Sequence, residues 1–161
     1  MILNLLGYYL VWWSIIAFEK ASLIQFSVII FLINIIFHFK FSVIQVKKEI
    51  FTIGLVFILG MSLDLLLSYF HFFELKGAYW VWLPMIWITF GTTINYSFYK
   101  ILDLNNVMVF ILGNIFGPFS YISAGKFGLL DYTNSIVLLV IHGFVWGLFM
   151  IVLKKIKRIK K

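Results

Sequence analysis

Long apolar runs alternate with short polar breaks along the whole chain. Six runs stand out, over residues 2–18, 22–39, 50–70, 78–99, 107–124 and 134–153. Each is near the ~20 residues that a helix needs to cross a ~30 Å hydrocarbon core. Charges collect between them: Glu19 and Lys20; Lys40, Lys47, Lys48 and Glu49; Glu74 and Lys76; Lys100 and Asp103; Lys126 and Asp131. Short connections make neighbouring helices antiparallel. The pattern predicts an all-α membrane protein, a compact bundle of six transmembrane helices with short loops. A single domain is expected over residues 1–153, with a basic tail over 154–161. The first run lacks a basic leader and a small-residue cleavage site, so it is expected to be a retained helix rather than a signal peptide.

The fourth run, WVWLPMIWITFGTTINYSF, is apolar in its first half and carries Thr92, Thr93, Asn95, Tyr96 and Ser97 in its second. Hydrocarbon offers no hydrogen-bond partners, so these groups need partners within the protein. Thr92, Asn95 or Tyr96, and Tyr99 recur at helical spacing, which predicts one polar face turned away from lipid. The tripeptide Asn95-Tyr96-Ser97 matches a glycosylation sequon, but inside a span no glycan is expected.

Composition narrows the class. With 63% hydrophobic and 12% charged residues and a mean hydropathy of +1.07, the chain cannot cover a soluble domain with an ordinary polar surface. The absence of cysteine removes disulfides, thiol catalysis and cysteine zinc sites. Ten of the 13 basic residues fall in the second and fourth connections and the C-terminus, leaving only Lys20, Lys76 and Lys126 opposite. Basic residues stay on the cytoplasmic side, so both termini are expected to be cytoplasmic. The terminal KKIKRIKK directly follows a membrane segment. It is expected to anchor on anionic membrane lipid rather than to bind nucleic acid.

Candidate chemistry lies within the runs. Asp64 has no charged residue among the 14 before it or the 9 after it, and lies ~21 Å along its helix from residue 50. A carboxyl group there must be paired, protonated or facing water. His142 falls ~12 Å below the outer surface, and Trp87, Ser120 and Tyr121 fall at similar depths. These five would line one outward-facing polar pocket. Against this stand a structural carboxylate that ties helices together, and a histidine bonded to a neighbouring carbonyl. Asn114 lies nearer the midplane. Thr92, Thr93 and Asn95 lie deeper and are expected to bond between helices. His38, His71 and His142 lie in separate segments without metal-site spacing, and no hydrolase, metalloprotease or nucleotide-binding motif is present. Neither metal nor cofactor is expected.

Gly113 and Gly117 form one GxxxG pattern, Gly143 and Gly147 a second. Small residues at this spacing let helix backbones approach closely. Packing within the chain is expected ahead of a homodimer. The Gly117-Pro118 step is expected to kink or break the fifth helix.

Two motifs carry a resemblance. One is W-x-x-F-x-T-T-x-N-x-S, met by Trp87, Phe90, Thr92, Thr93, Asn95 and Ser97. The other joins Gly117, Pro118, Ser120, Tyr121 and Gly125. Over nearly its whole length the chain resembles a bacterial inner-membrane family of unknown function, domain-of-unknown-function family 2878. The resemblance implies a multi-pass protein of the bacterial cytoplasmic membrane, in a context of membrane-lipid modification or envelope stress, and implies no reaction. In size and topology the chain is also similar to the rod-shape-determining membrane subunit and to substrate-binding components of vitamin transporters.

The leading expectation is a non-enzymatic scaffold or accessory subunit in envelope lipid metabolism, with a membrane-protein partner or a second copy. Two alternatives stand beside it. One is a small-molecule binding or transport component that uses the polar pocket. The other is an intramembrane lipid-modifying enzyme with Asp64 or His142 as acid or base.

Overall fold

A computed structural model describes residues 2–19, 22–132 and 136–156. The expected basic tail beyond Ile156, Lys20 and Asn134 lie outside the described residues. Among the described residues the elements run α1 (Ile2–Glu19), α2 (Ile24–Phe41), α3 (Val46–Tyr69), β1 (Phe73–Leu75), α4 (Tyr79–Ile94), α5 (Tyr99–Leu102), α6 (Asn106–Lys126), β2 (Leu130–Tyr132) and α7 (Ile136–Ile156). The fold is all-α apart from the ribbon formed by β1 and β2. Among the described residues four helices are long and apolar enough to cross a membrane: α2, α3, α6 and the stretch Leu139–Ile156 of α7.

α4 is the central helix, packed against α1, α2 and α3. Ten of its residues are buried, from Trp82 to Ile94. At 16 residues it is ~24 Å long, short of a hydrocarbon core. The expected single helix over 78–99 is therefore corrected. It ends at Ile94, the chain turns through residues 95–98, and the four-residue α5 follows. The hydroxyls of Thr89, Thr92 and Thr93 turn back to the carbonyls of Met85, Thr89 and Phe90. Such local bonds compete with helix continuation. They also correct the expectation of interhelical bonds from the Thr92 and Thr93 hydroxyls. Asn95 does reach another helix, donating to Glu49 and Thr52 of α3.

α3 begins at Val46 rather than near residue 50, so Lys47, Lys48 and Glu49 belong to its first turns. Its buried residues, Glu49, Thr52, Ile53, Val56, Gly60, Asp64 and Leu67, recur every three or four positions and form one stripe against the core.

α6 runs through Pro118 as one helix, so the expected break is absent there. A proline leaves the carbonyl four residues earlier without its helical donor; here that residue is Asn114. A Cβ on Gly143 of α7 would lie only 2.7 Å from this carbonyl oxygen, so the glycine lets the facing backbone cover it. The remaining glycines also take side chains of the opposite helix: Gly113 meets Met150, Gly117 the Trp146 ring, and Gly147 the Phe110 ring. The two small-residue patterns thus join α6 to α7 within one chain.

At one end of the bundle β1 pairs antiparallel with β2, with Phe73 opposite Tyr132 and Leu75 opposite Leu130. Lys76 and Asp131 form an exposed ion pair beside it. Nearby, Glu19 at the end of α1 accepts from the Ala78 N–H at the start of α4, 2.8 Å away. Gly77 has a φ of +61° there, and a side chain on it would collide with the Glu19 carboxylate. At the opposite end Lys154 of α7 donates to the Leu104 carbonyl and to Asn106.

Candidate functional site

Asp64 is buried in the core and held by side chains from two other helices. The Trp87 indole N–H of α4 donates to its Oδ2 at 2.7 Å, and the Tyr121 hydroxyl of α6 donates to its Oδ1. Gly60 makes the first bond accessible. It lies one turn before Asp64 on the same face, and a Cβ there would fall 2.1 Å from the Trp87 ring. The indole lies across this glycine and presents its N–H to the carboxylate.

Aromatic rings close around these three residues. Trp87 stacks on Trp146 at 5.8 Å between centroids and meets Phe149 edge-on. Tyr121 packs against Phe73 of the ribbon and Trp146 of α7. The Trp146 N–H is buried and makes no hydrogen bond.

His142 lies behind Tyr121, with the two rings 4.4 Å apart and nearly perpendicular. It is fully buried. Its hydrogen-bond partner is Tyr132 of β2, whose hydroxyl lies 2.9 Å from Nδ1; Nε2 has no partner. Burial pushes the Tyr132 hydroxyl up to about 12, so it stays protonated at neutral pH. Tyr121 thus meets Asp64 with its hydroxyl and His142 with its ring.

Beside Asp64 lies a cavity of about 550 Å³, bounded by α1, α4, α6 and α7. Asp64, Trp87, Ser120 and Tyr121 are on its wall, as are Tyr8, Trp12, Phe90 and Phe98; His142 is not. Ser120 is exposed and bonds the Gly117 carbonyl at 2.6 Å rather than Asp64. Leu75 and Leu130 of the ribbon mark one end of the cavity, Phe98 and Ile101 the other. The site can therefore enclose an apolar body and offer it a carboxyl group in a wall of aromatic rings. Asn114, Thr92, Thr93 and Asn95 take no part in this wall.

A second buried carboxylate was not anticipated. Glu49, read from the sequence as a loop charge, is fully buried. His38 Nε2 lies 2.8 Å from its Oε1, and Asn95 Nδ2 donates to its Oε2 at 2.8 Å. The signal was present: His38 and Glu49 end and begin two apolar runs joined by a short connection, and a hairpin brings such ends together. Lys47 and Lys48 beside Glu49 disguised it as part of a solvated loop. Among the described residues no three His, Cys, Asp or Glu side chains converge as metal ligands.

A family model described as "Protein of unknown function (DUF2878)" matches residues 1–152 of the chain. No curated protein and no solved structure matches it.

Proposed function

We propose, for a chain that belongs to the DUF2878 family of unknown function, a multi-pass membrane protein that holds an apolar small molecule in the cavity beside Asp64, as a binding or transport component. The observation that carries this reading is the cavity itself. Its about 550 Å³ falls within the range of ligand sites, and an apolar wall with a few placed polar groups is the usual composition of such sites. A protein that only needed Asp64 to tie α3 to α4 and α6 would have no use for a space of this size beside it.

In this reading α1 also crosses the bilayer, as does α4 together with the turn that follows it, which makes six spans. Both termini face the cytoplasm, and the β1–β2 ribbon faces the exterior, following the distribution of basic residues. The bacterial inner membrane is the location that fits. Reporter fusions at Lys47 and Lys76 should fall on opposite sides, cytoplasmic and exterior respectively; the same side for both would sink the six-span arrangement.

The scaffold or accessory-subunit reading has one observation in its favour, the uncovered flank of α2, where Ile29, Leu32, Ile33, Ile36 and Phe37 are exposed. A bilayer covers such a flank as well as a partner protein does, so this weighs less than the cavity. The enzyme reading, with Asp64 or His142 as acid or base, has no observation of its own in its favour.

Native mass spectrometry of the purified protein tests the binding reading. A retained small molecule is expected, and Ser120→Phe, which places a ring in the cavity from an exposed position, should lower its occupancy at least tenfold with thermal stability unchanged. Equal occupancy in both proteins would place the molecule elsewhere and overturn the reading.

A further inference from the structure

The cavity is not closed on all sides. α1 and α6 meet at its ribbon end, where Trp13 packs edge-on against Phe127 with centroids 5.5 Å apart. Away from that contact the two helices bound the cavity without closing it. The rim residues Tyr9 of α1 and Phe116 and Phe119 of α6 are 49%, 66% and 62% exposed. α6 itself is long and apolar enough to cross a membrane, so this opening faces the hydrocarbon rather than water.

Its length fits one kind of occupant. The α6 residues on the wall run from Leu112 to Ala124, ~18 Å along the helix axis. That is about the depth of one leaflet of a ~30 Å core, the space a single lipid chain already fills in the bilayer.

Its charge restricts the head of that lipid. Among the described residues no Lys, Arg or His is on the wall, and Asp64 is the one acid. A phosphate or a carboxylate would meet a hydrogen-bond acceptor and no cation. A cationic head would have to leave water and cross hydrocarbon sideways, at the cost of its hydration. An uncharged head with a hydroxyl group avoids both penalties. It can donate to a carboxylate oxygen, each of which has accepting capacity beyond the one bond it receives from Trp87 or Tyr121.

Resting on the binding reading above, we infer that the occupant is an uncharged single-chain lipid of the long-chain alcohol type. It enters sideways between α1 and α6 and hydrogen-bonds Asp64 with its hydroxyl.

Three probes of equal chain length, hexadecanol, hexadecanoate and hexadecylamine, separate the head groups. Each is added to the full-length protein in neutral detergent, and bound adducts are counted by native mass spectrometry. Hexadecanol should bind at least tenfold more tightly than either charged probe. Asp64→Leu should weaken it about tenfold, the loss of one hydrogen bond. Ser120→Phe, at an exposed position, should abolish it even if Asp64→Leu does not fold. Tighter or equal binding of hexadecanoate or hexadecylamine would overturn the inference and leave the binding reading standing. If no probe binds and the purified protein retains no molecule of its own, both fall.

Discussion

α3 buries two carboxylates, 15 positions apart in sequence and so ~22 Å apart along the axis, and their surroundings differ in kind. Glu49 faces a histidine and an amide. It is packed by α2 and α4, at the end of the bundle where their chains turn. Asp64 has no basic partner. It faces an indole and a phenol and lies on a cavity wall. A carboxylate beside a potential cation with no space around it is suited to holding helix ends in register. One held by two neutral donors beside an open space is suited to meeting a ligand. Both are buried acids in one helix, so burial alone does not distinguish architecture from site; the partners and the adjacent space do.

The largest effects should come from the Glu49 end. Glu49→Leu leaves His38 and Asn95 buried without their shared acceptor. Removing one partner of a buried pair costs ~3–5 kcal/mol, so a steep fall in thermal stability is expected in detergent, with expression lowered. Glu49→Gln should still cost ~1–3 kcal/mol. The amide offers one acceptor oxygen where two donors converge. His38 can become an acceptor at Nε2 only by moving its proton to Nδ1, and Nδ1 is buried without a partner. Thermal unfolding that matches the parent for Glu49→Gln would show that the pair is not what holds this end, and would remove the contrast with Asp64.

Much of the fold can be read from hydrophobic pattern alone, whereas the family is read from the two motifs around Trp87 and Gly117. Apolar runs and charge breaks give helices and their antiparallel order. Residue counting puts Asp64, Trp87 and Tyr121 at one depth, and these three touch in the structure. Counting gives depth but not rotation about the helix axis, so it could not tell that Tyr121 stands between Asp64 and His142. Nor could it supply Tyr132 as the histidine's partner, because three-residue strands leave too short a pattern to recognise. The break after Ile94 was hidden for a related reason. The residues on both sides of it are apolar enough for a membrane, and hydropathy carries no trace of the threonine hydroxyls that fold back on their own helix or of the Asn95 bonds to α3. Glu49 was hidden by its neighbours, since two adjacent lysines make a buried acid look like part of a solvated turn.

The smallest effect on stability, and the sharpest test of the contrast, is expected from Asp64→Asn. The substituted amide keeps a carbonyl oxygen for the Trp87 N–H. Its NH2 group replaces the second oxygen, and there the partner is a hydroxyl, which can accept as well as donate. Tyr121 can turn its proton away and accept from the amide, so every group retains a partner and the change in stability should stay below ~1 kcal/mol. In Glu49→Gln the histidine can reverse its role only by burying an unpaired donor, and Asn95 only by giving up its bond to Thr52. The mechanism is open to a double-mutant cycle. With Asp64 ionised, Tyr121→Phe removes a hydrogen bond to a charged group in the parent, worth ~1.5–3 kcal/mol, and a neutral one in the Asp64→Asn background, worth ~0.5–1.5 kcal/mol. The tyrosine substitution should therefore cost about 1 kcal/mol less in that background. Equal costs would mean that the Tyr121 bond gains nothing from a charge on Asp64, and that the carboxyl group is already neutral within the folded bundle.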